Sequence, residues 1–199
     1  MQDLNPTAHI TGGAVRDVLL DRPIRDIDIF LAANAMAEAA RLLHSKFGYV
    51  QVGEWQQYEH FFDPVIAGAA EFEKADEAIP VSLIGLNNHE DMRANIARFD
   101  FGVCMAGWDG RDVYRPMPFD REATNQTFTL LRADNRHQFA HSMVRFGKLT
   151  KERYAGWQLV VPEKFEALAR EHSFRRDWYR ETDDRLGFSG PNILRPKTR

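Results

Sequence analysis

Polar and apolar residues alternate most cleanly at Asp26-Ile27-Asp28-Ile29-Phe30, the period of a half-buried strand. That spacing puts both aspartates on one face, with Ile27 and Ile29 on the other. Just upstream, His9-Ile10-Thr11 runs into Gly12-Gly13. From Ala14 the pattern turns helical, with Val15, Val18 and Leu19 sharing a face until Asp21-Arg22-Pro23 ends it. Downstream, the alanine- and leucine-rich stretch 35–46 predicts a helix with Asn34 as its cap and Gly48 as its stop. Strands are expected at 49–52, 58–62 and 80–85, and a short helix at 90–97. Residues 63–78 are acidic and rich in small side chains, and they read as a loop or a poorly anchored helix. Arg98 to Met105 reads as another strand, followed by an Asp109-Gly110 hairpin turn and a return over 112–114. Beyond about residue 130 the pattern is helical, over 137–154 and 162–180, with Pro162 suited to a helix start. The chain from Leu186 onward is basic and broken by glycine and proline, as expected of an extended tail.

The layout is therefore a mixed α/β (α+β) head over residues 1–131 and a basic helical extension and tail over 132–199. At 199 residues, 44% hydrophobic and 28% charged, the chain is long enough and apolar enough to bury its own core. A single cysteine, Cys104, excludes an internal disulfide framework and a Cys-rich zinc module. No stretch approaches the 18 apolar residues of a membrane span. The start, MQDLNPTAHI, lacks the basic and apolar segments of a signal peptide, so a cytoplasmic location is expected. The net charge of −3 conceals a gradient, with 11 Lys/Arg against 20 Asp/Glu through residue 131 and 15 against 9 after it. A basic segment of this kind suits contact with nucleic acid, and equally a solvated helical surface.

The chemistry concentrates between Gly12 and Asp28. A Gly-Gly pair after a strand lets the backbone come close to a bulky anion, and the following helix presents its first N–H groups to it. Two carboxylates side by side on one strand call for a compensating cation. Mg²⁺ takes carboxylate and phosphate oxygens together, and such ions can activate a hydroxyl and neutralise a leaving pyrophosphate. An isolated Asp-x-Asp is most often a solvated strand face, and an isolated Gly-Gly merely a turn. Their adjacency, with Arg16-Asp17 between them, points instead to phosphoryl or nucleotidyl transfer.

The run Gly12-Gly13-Ala14-Val15-Arg16-Asp17, with Leu19 to Pro23 and Asp26-Ile27-Asp28-Ile29 after it, closely resembles the head-domain signature of class II CCA-adding enzymes and bacterial poly(A) polymerases. These belong to the polymerase-β-like nucleotidyltransferase superfamily. Arg98-Phe99-Asp100-Phe101 resembles that family's Arg-Arg-Asp-Phe motif, and the run 139–146 is weakly similar to its Leu-Arg-Ala-x-Arg-Phe helix. The resemblance implies that Asp26 and Asp28 are the catalytic residues and hold Mg²⁺. It also implies that Gly12, Gly13 and Arg16 contact the triphosphate, that Arg98 and Asp100 lie beside the nucleotide, and that Arg145 is a further phosphate contact. Asp17 would brace Arg16 or cap locally.

Departures accompany the likeness. Gly102-Val103-Cys104-Met105-Ala106 replaces the family's Thr-x-Asn-Ala continuation, and the base-reading Glu-Asp-x-x-Arg motif has no counterpart. The strand Val81-Ser82-Leu83-Ile84 lacks the third carboxylate of many superfamily members. The chain also stops before the long helical body of full-length enzymes, which argues against complete CCA addition. His137 and His141 lack the partners of a zinc site, and no nucleophile elbow is present. The aromatics from Phe146 to Tyr179 have mostly core spacing, and Arg175, Arg176 and Arg180 beside Trp178 are candidates for a phosphate backbone. The expected activity is transfer of a nucleoside monophosphate from an NTP to an acceptor hydroxyl, most plausibly an RNA 3′ end. The alternatives are a protein or small-molecule acceptor, and a nucleotide- or RNA-binding module without turnover.

Overall fold

A computed structural model describes residues 7–56, 65–88, 91–179 and 193–194. The chain divides into two compact units, Met1–Arg98 with Cys104–Pro116, and Phe99–Val103 with Met117–Arg199.

The first unit is built on a seven-stranded mixed sheet. Its strands are β1 (His9–Thr11), β2 (Ile27–Ala32), β3 (Val50–Gln56), β4 (Ile66–Lys74), β5 (Glu77–Leu86), β6 (Gly107–Trp108) and β7 (Val113–Tyr114), in spatial order β3-β4-β5-β2-β1-β6-β7. Only β2 and β5 run parallel within it. Helices α1 (Gly13–Leu19), α2 (Met36–Phe47) and α3 (Met92–Ile96) complete the unit. Ile29 and Leu31 of β2, Phe72 of β4, Val81 and Leu83 of β5, and Ala39 and Leu43 of α2 form its buried core. Burying each large apolar side chain contributes about 1.5–3 kcal/mol. A one-residue slip of β2 would trade Ile29 and Leu31 for Asp28 and Phe30, forcing the Asp28 carboxylate into that core.

Several expectations change here. Residues 66–74 form the nine-residue strand β4 instead of a loop or helix, with Ala70 and Phe72 buried and Glu71 and Glu73 exposed in alternation with them. The alternation was present in Ala70-Glu71-Phe72-Glu73 but too short to stand out among alanines and glycines. Asn34 does not cap α2; it lies inside a 3-10 turn, Ala33–Ala35, and no side chain caps the helix. The strand expected at 98–105 is absent. Only Phe101 makes a bridge, to Leu130, and Gly102–Cys104 curls into a 3-10 turn. The hairpin does form, with β6 and β7 around a turn in which Asp109 Oδ1 accepts from the N–H groups of Arg111 and Asp112. The expected strand at 58–62 lies outside the described residues, as does the tail from Leu186 apart from a short strand at Ile193–Leu194.

The second unit contains α4 (Met117–Asn125), β8 (Thr127–Thr129), α5 (Arg136–Glu152), β9 (Gln158–Val160), α6 (Glu166–Tyr179) and β10 (Ile193–Leu194). Strand β9 pairs in parallel with both β8 and β10, a small sheet the helical reading of this region missed. Phe128 of β8 is its centre, with the rings of Phe101, Phe146, Tyr154 and Trp157 at 5.3–5.6 Å. The core spacing of those later aromatics is thus realised around β8. Asn135 caps α5, its side chain accepting from the N–H groups of His137 and Gln138 at 3.0 Å.

Candidate functional site

Thr11 ends β1 and the chain turns immediately into α1 through Gly12, whose φ of 79° and ψ of −122° suit glycine far better than any other residue. The Gly12 N–H donates to Ala106 O at 2.9 Å, and Gly12 O accepts from Arg16 N at 2.9 Å. Gly12 thus fastens the turn to the segment preceding β6, and its N–H is already committed. Gly13 opens the helix beside the acidic strand. A Cβ on Gly13 would lie 3.8 Å from Asp26 Oδ1 and 3.9 Å from Arg16 Nη2. Gly13, Arg16 and Asp26 therefore converge in the first unit.

Arg16, expected at the triphosphate, is only 2% exposed. Its Nε and Nη2 donate to Asp17 Oδ1 at 2.9 and 2.8 Å, and its Nη1 lies 3.4 Å from Cys104 Sγ. Of the two roles expected of Asp17, bracing Arg16 or capping locally, the structure shows the brace. A buried guanidinium with its carboxylate adjacent makes this pair a fixed internal strut. A second buried network stands under the turn. His9 Nδ1 donates to Thr7 O at 2.9 Å, and Asn95 Nδ2 lies 3.1 Å from His9 Nε2 and 3.3 Å from Thr11 Oγ1. Burial holds His9 below its ordinary pKa, so the ring stays neutral and its Nε2 can accept from Asn95.

Asp26 is exposed immediately before β2, and Asp28 is half-buried within it. Asp28 pairs with Ser82 of β5, and Ser82 with Glu71 of β4, so the three positions form a row on the face opposite the apolar core. Ser82 thus occupies the position beside Asp28, and a carboxylate appears only one strand further out. Glu71 was missed because its strand was missed. Its side chain is exposed, and Glu71 Oε2 would be 3.1 Å from a Cβ on Gly53.

The oxygens of Asp26 and Asp28 are hard donors at alternate positions, accessible to solvent, and they fit Mg²⁺ in the manner of sites that use one or two carboxylates and let phosphate or water supply the rest. Among the described residues no group of three or more His, Cys, Asp and Glu side chains is arranged to hold a metal. Arg98 is half-buried after α3 in the first unit. Asp100 and Arg145 are brought together in the second, where Arg145 Nη1 donates to Asp100 Oδ1 at 2.8 Å.

The sheet and its flanking helices define the nucleotidyltransferase-like fold. A tRNA nucleotidyltransferase complexed with a primer tRNA and an incoming ATP analogue superposes with a TM-score of 0.57 at 16% identity, covering 87% of this chain and 48% of that one. A CCA-adding enzyme in complex with ATP gives 0.57 at 16% identity over 90% of this chain and 40% of the other. A tRNA-processing enzyme with CTP gives 0.55 at 19%, over 91% and 46%. The chain spans less than half the length of these structures. No curated protein matches its sequence. Residues 2–125 match the family described as Gad2, Gabija anti-defense 2 family protein, and the chain belongs to that family. No helix among the described residues is long and apolar enough to cross a membrane.

Proposed function

We propose that this protein is a Mg²⁺-dependent nucleotidyltransferase that moves a nucleoside monophosphate from an NTP to an acceptor hydroxyl. The observation that carries the reading is the strand–turn–helix in which Gly13 stands beside Asp26, immediately before β2, with Asp28 two residues further on within that strand. The acceptor hydroxyl gives its proton to solvent, its oxygen bonds to the α-phosphorus, the bond from the α-phosphorus to the α–β bridging oxygen breaks, and pyrophosphate departs with that oxygen. Asp26 and Asp28 would hold the metal, which on binding would acidify the acceptor hydroxyl and neutralise the leaving group. Gly13 leaves room for the phosphates to approach, and Gly12 and Arg16 hold the turn in shape. Arg98, Asp100 and Arg145 are nucleotide contacts in this reading.

The excess of Lys/Arg after residue 131 and the primer tRNA bound by one of the similar structures support an RNA 3′ hydroxyl as the acceptor. A second reading places the acceptor hydroxyl on a protein or a small molecule; the family's anti-defence description names neither acceptor. One experiment separates them. The protein is incubated with Mg²⁺ and each α-labelled NTP in a lysate, and RNA, protein and small molecules are then fractionated. The expected result is label in the RNA fraction that disappears with Asp26→Ala/Asp28→Ala and with a chelator. Label in protein or in a small molecule would select the second reading. NTP binding without label in any fraction would refute turnover and leave a nucleotide-binding module.

A further inference from the structure

The segment Phe99–Val103 carries Asp100 and is secured by a residue outside every motif considered above. Glu122, on α4, is fully buried, and its Oε2 accepts the Val103 N–H at 2.7 Å. Its Oε1 is a buried polar atom without a hydrogen-bond partner. Gly102 lies directly against this carboxyl. A Cβ there would collide with Glu122 Oε1, reach within 2.7 Å of its Cδ and sit 3.0 Å from Pro118 Cβ. The absence of a side chain at 102 is therefore what lets α4 and the segment meet. On its other side the segment is tied down by Leu131 N, which donates to Asp100 O at 2.7 Å, and by the bridge from Phe101 to Leu130. With its backbone held from both directions, Asp100 receives Arg145 Nη1 at 2.8 Å.

Burying a carboxyl with one oxygen unsatisfied costs stability, and an apolar side chain at this position would pack with less penalty. What the glutamate adds is an acceptor aimed at Val103 N. We propose that Glu122 is a positioning residue for nucleotide binding: by accepting from Val103 N across Gly102, it fixes the Phe99–Val103 segment so that Asp100 meets Arg145. The proposal rests on the reading of Asp100 and Arg145 as nucleotide contacts.

The test measures amide hydrogen exchange of residues 99–103 without nucleotide, and NTP affinity with Mg²⁺, in the wild type, Glu122→Gln, Glu122→Ala, Gly102→Ala and the double variant Gly102→Ala/Glu122→Ala. Glu122→Gln keeps a carbonyl acceptor of the same shape and is expected to retain both properties. Gly102→Ala and Glu122→Ala are expected to lose protection in the segment while α5 stays protected. Their KM for the NTP should rise about tenfold, with kcat within about twofold of wild type. The double variant should lose less than the two singles combined, because removing Glu122 makes room for the new methyl group. Should Glu122→Ala fail to fold, Gly102→Ala and Glu122→Gln still decide the matter. Unchanged protection in Gly102→Ala overturns the proposal, as does a fall in kcat equal to the loss in kcat/KM. If the wild type binds and transfers nucleotide but variant affinity does not follow protection, the positioning role alone falls. If protection changes as expected but the wild type binds no NTP, the nucleotidyltransferase reading fails and the positioning role fails with it.

Discussion

Glu122 also makes a quantitative prediction about stability. Burial pushes its carboxyl from 4.5 up to about 7, outweighing the opposing hydrogen bond from Val103 N. The folded state therefore holds the proton over a range where the unfolded chain has released it. Stability contributed by this group is complete below pH 4.5, declines as pH rises toward 7, and levels off once the folded carboxyl is also ionised. The span from 4.5 to about 7 is worth about 3 kcal/mol. For a cooperative transition of a chain this size, that corresponds to roughly 6–12 °C in Tm. Glu122→Gln removes the ionisation while keeping an acceptor for Val103. Thermal unfolding of both proteins across pH 4–8 should give a difference curve that starts near its acid baseline and climbs in favour of the glutamine variant to a plateau above pH 7. Subtracting the two curves cancels His9 and every other titrating group they share. A difference that stays constant within about 0.5 kcal/mol over that range would refute a buried, protonated Glu122.

His9 acts with the opposite sign. Its folded pKa lies below 6.5, so stability present above that value is lost on acidification, and His9→Gln should flatten the acid limb of a denaturant-derived stability profile. The two glycines of the turn should separate fold from function. Gly12→Ala forces a side chain to φ 79° and should cost about 1–3 kcal/mol in chemical denaturation. Gly13→Ala meets only ordinary contacts and should leave stability intact while weakening NTP affinity about tenfold in a titration. Asn135→Ala removes the cap of α5 and should destabilise the second unit by about 1 kcal/mol, read by hydrogen exchange of 136–140.

The nucleotidyltransferase-like fold class was legible through the resemblance of the motifs at 12–29, whereas the strand expected over 26–30 and found at 27–32, the turn at Gly12-Gly13 and helix α1 were legible from the residues themselves. Those three rest on local rules: alternation for a strand with one buried face, glycine for a backbone that must turn sharply, and a short apolar stripe for a helix. The same locality explains where the reading stopped. Strand β4 draws its stability from pairing with β3 and β5 on either side, and its small residues carry little signal of their own. Asn34 has the side chain of a cap, yet the chain leaves β2 through a 3-10 turn in which that side chain caps nothing. The segment 98–105 has the composition of a strand but obeys partners far away in sequence: Glu122 draws in Val103 N, and Leu130 takes Phe101.

The candidate site divides along the same line. Asp26 and Asp28 could be named as candidates from their alternate spacing, although only Asp28 lies within β2, which begins at Ile27. Tertiary structure alone decided that Arg16 is buried on Asp17 and near Cys104, that the Gly12 N–H is taken by Ala106, and that Ser82 stands beside Asp28 with Glu71 beyond it. Burial and hydrogen-bond partners depend on which distant segments come together, and the pattern within a short window carries no record of that. Glu122 is the clearest instance: within its helix it is one more acidic residue, and it becomes a buried acceptor only when a glycine twenty residues earlier folds back against it.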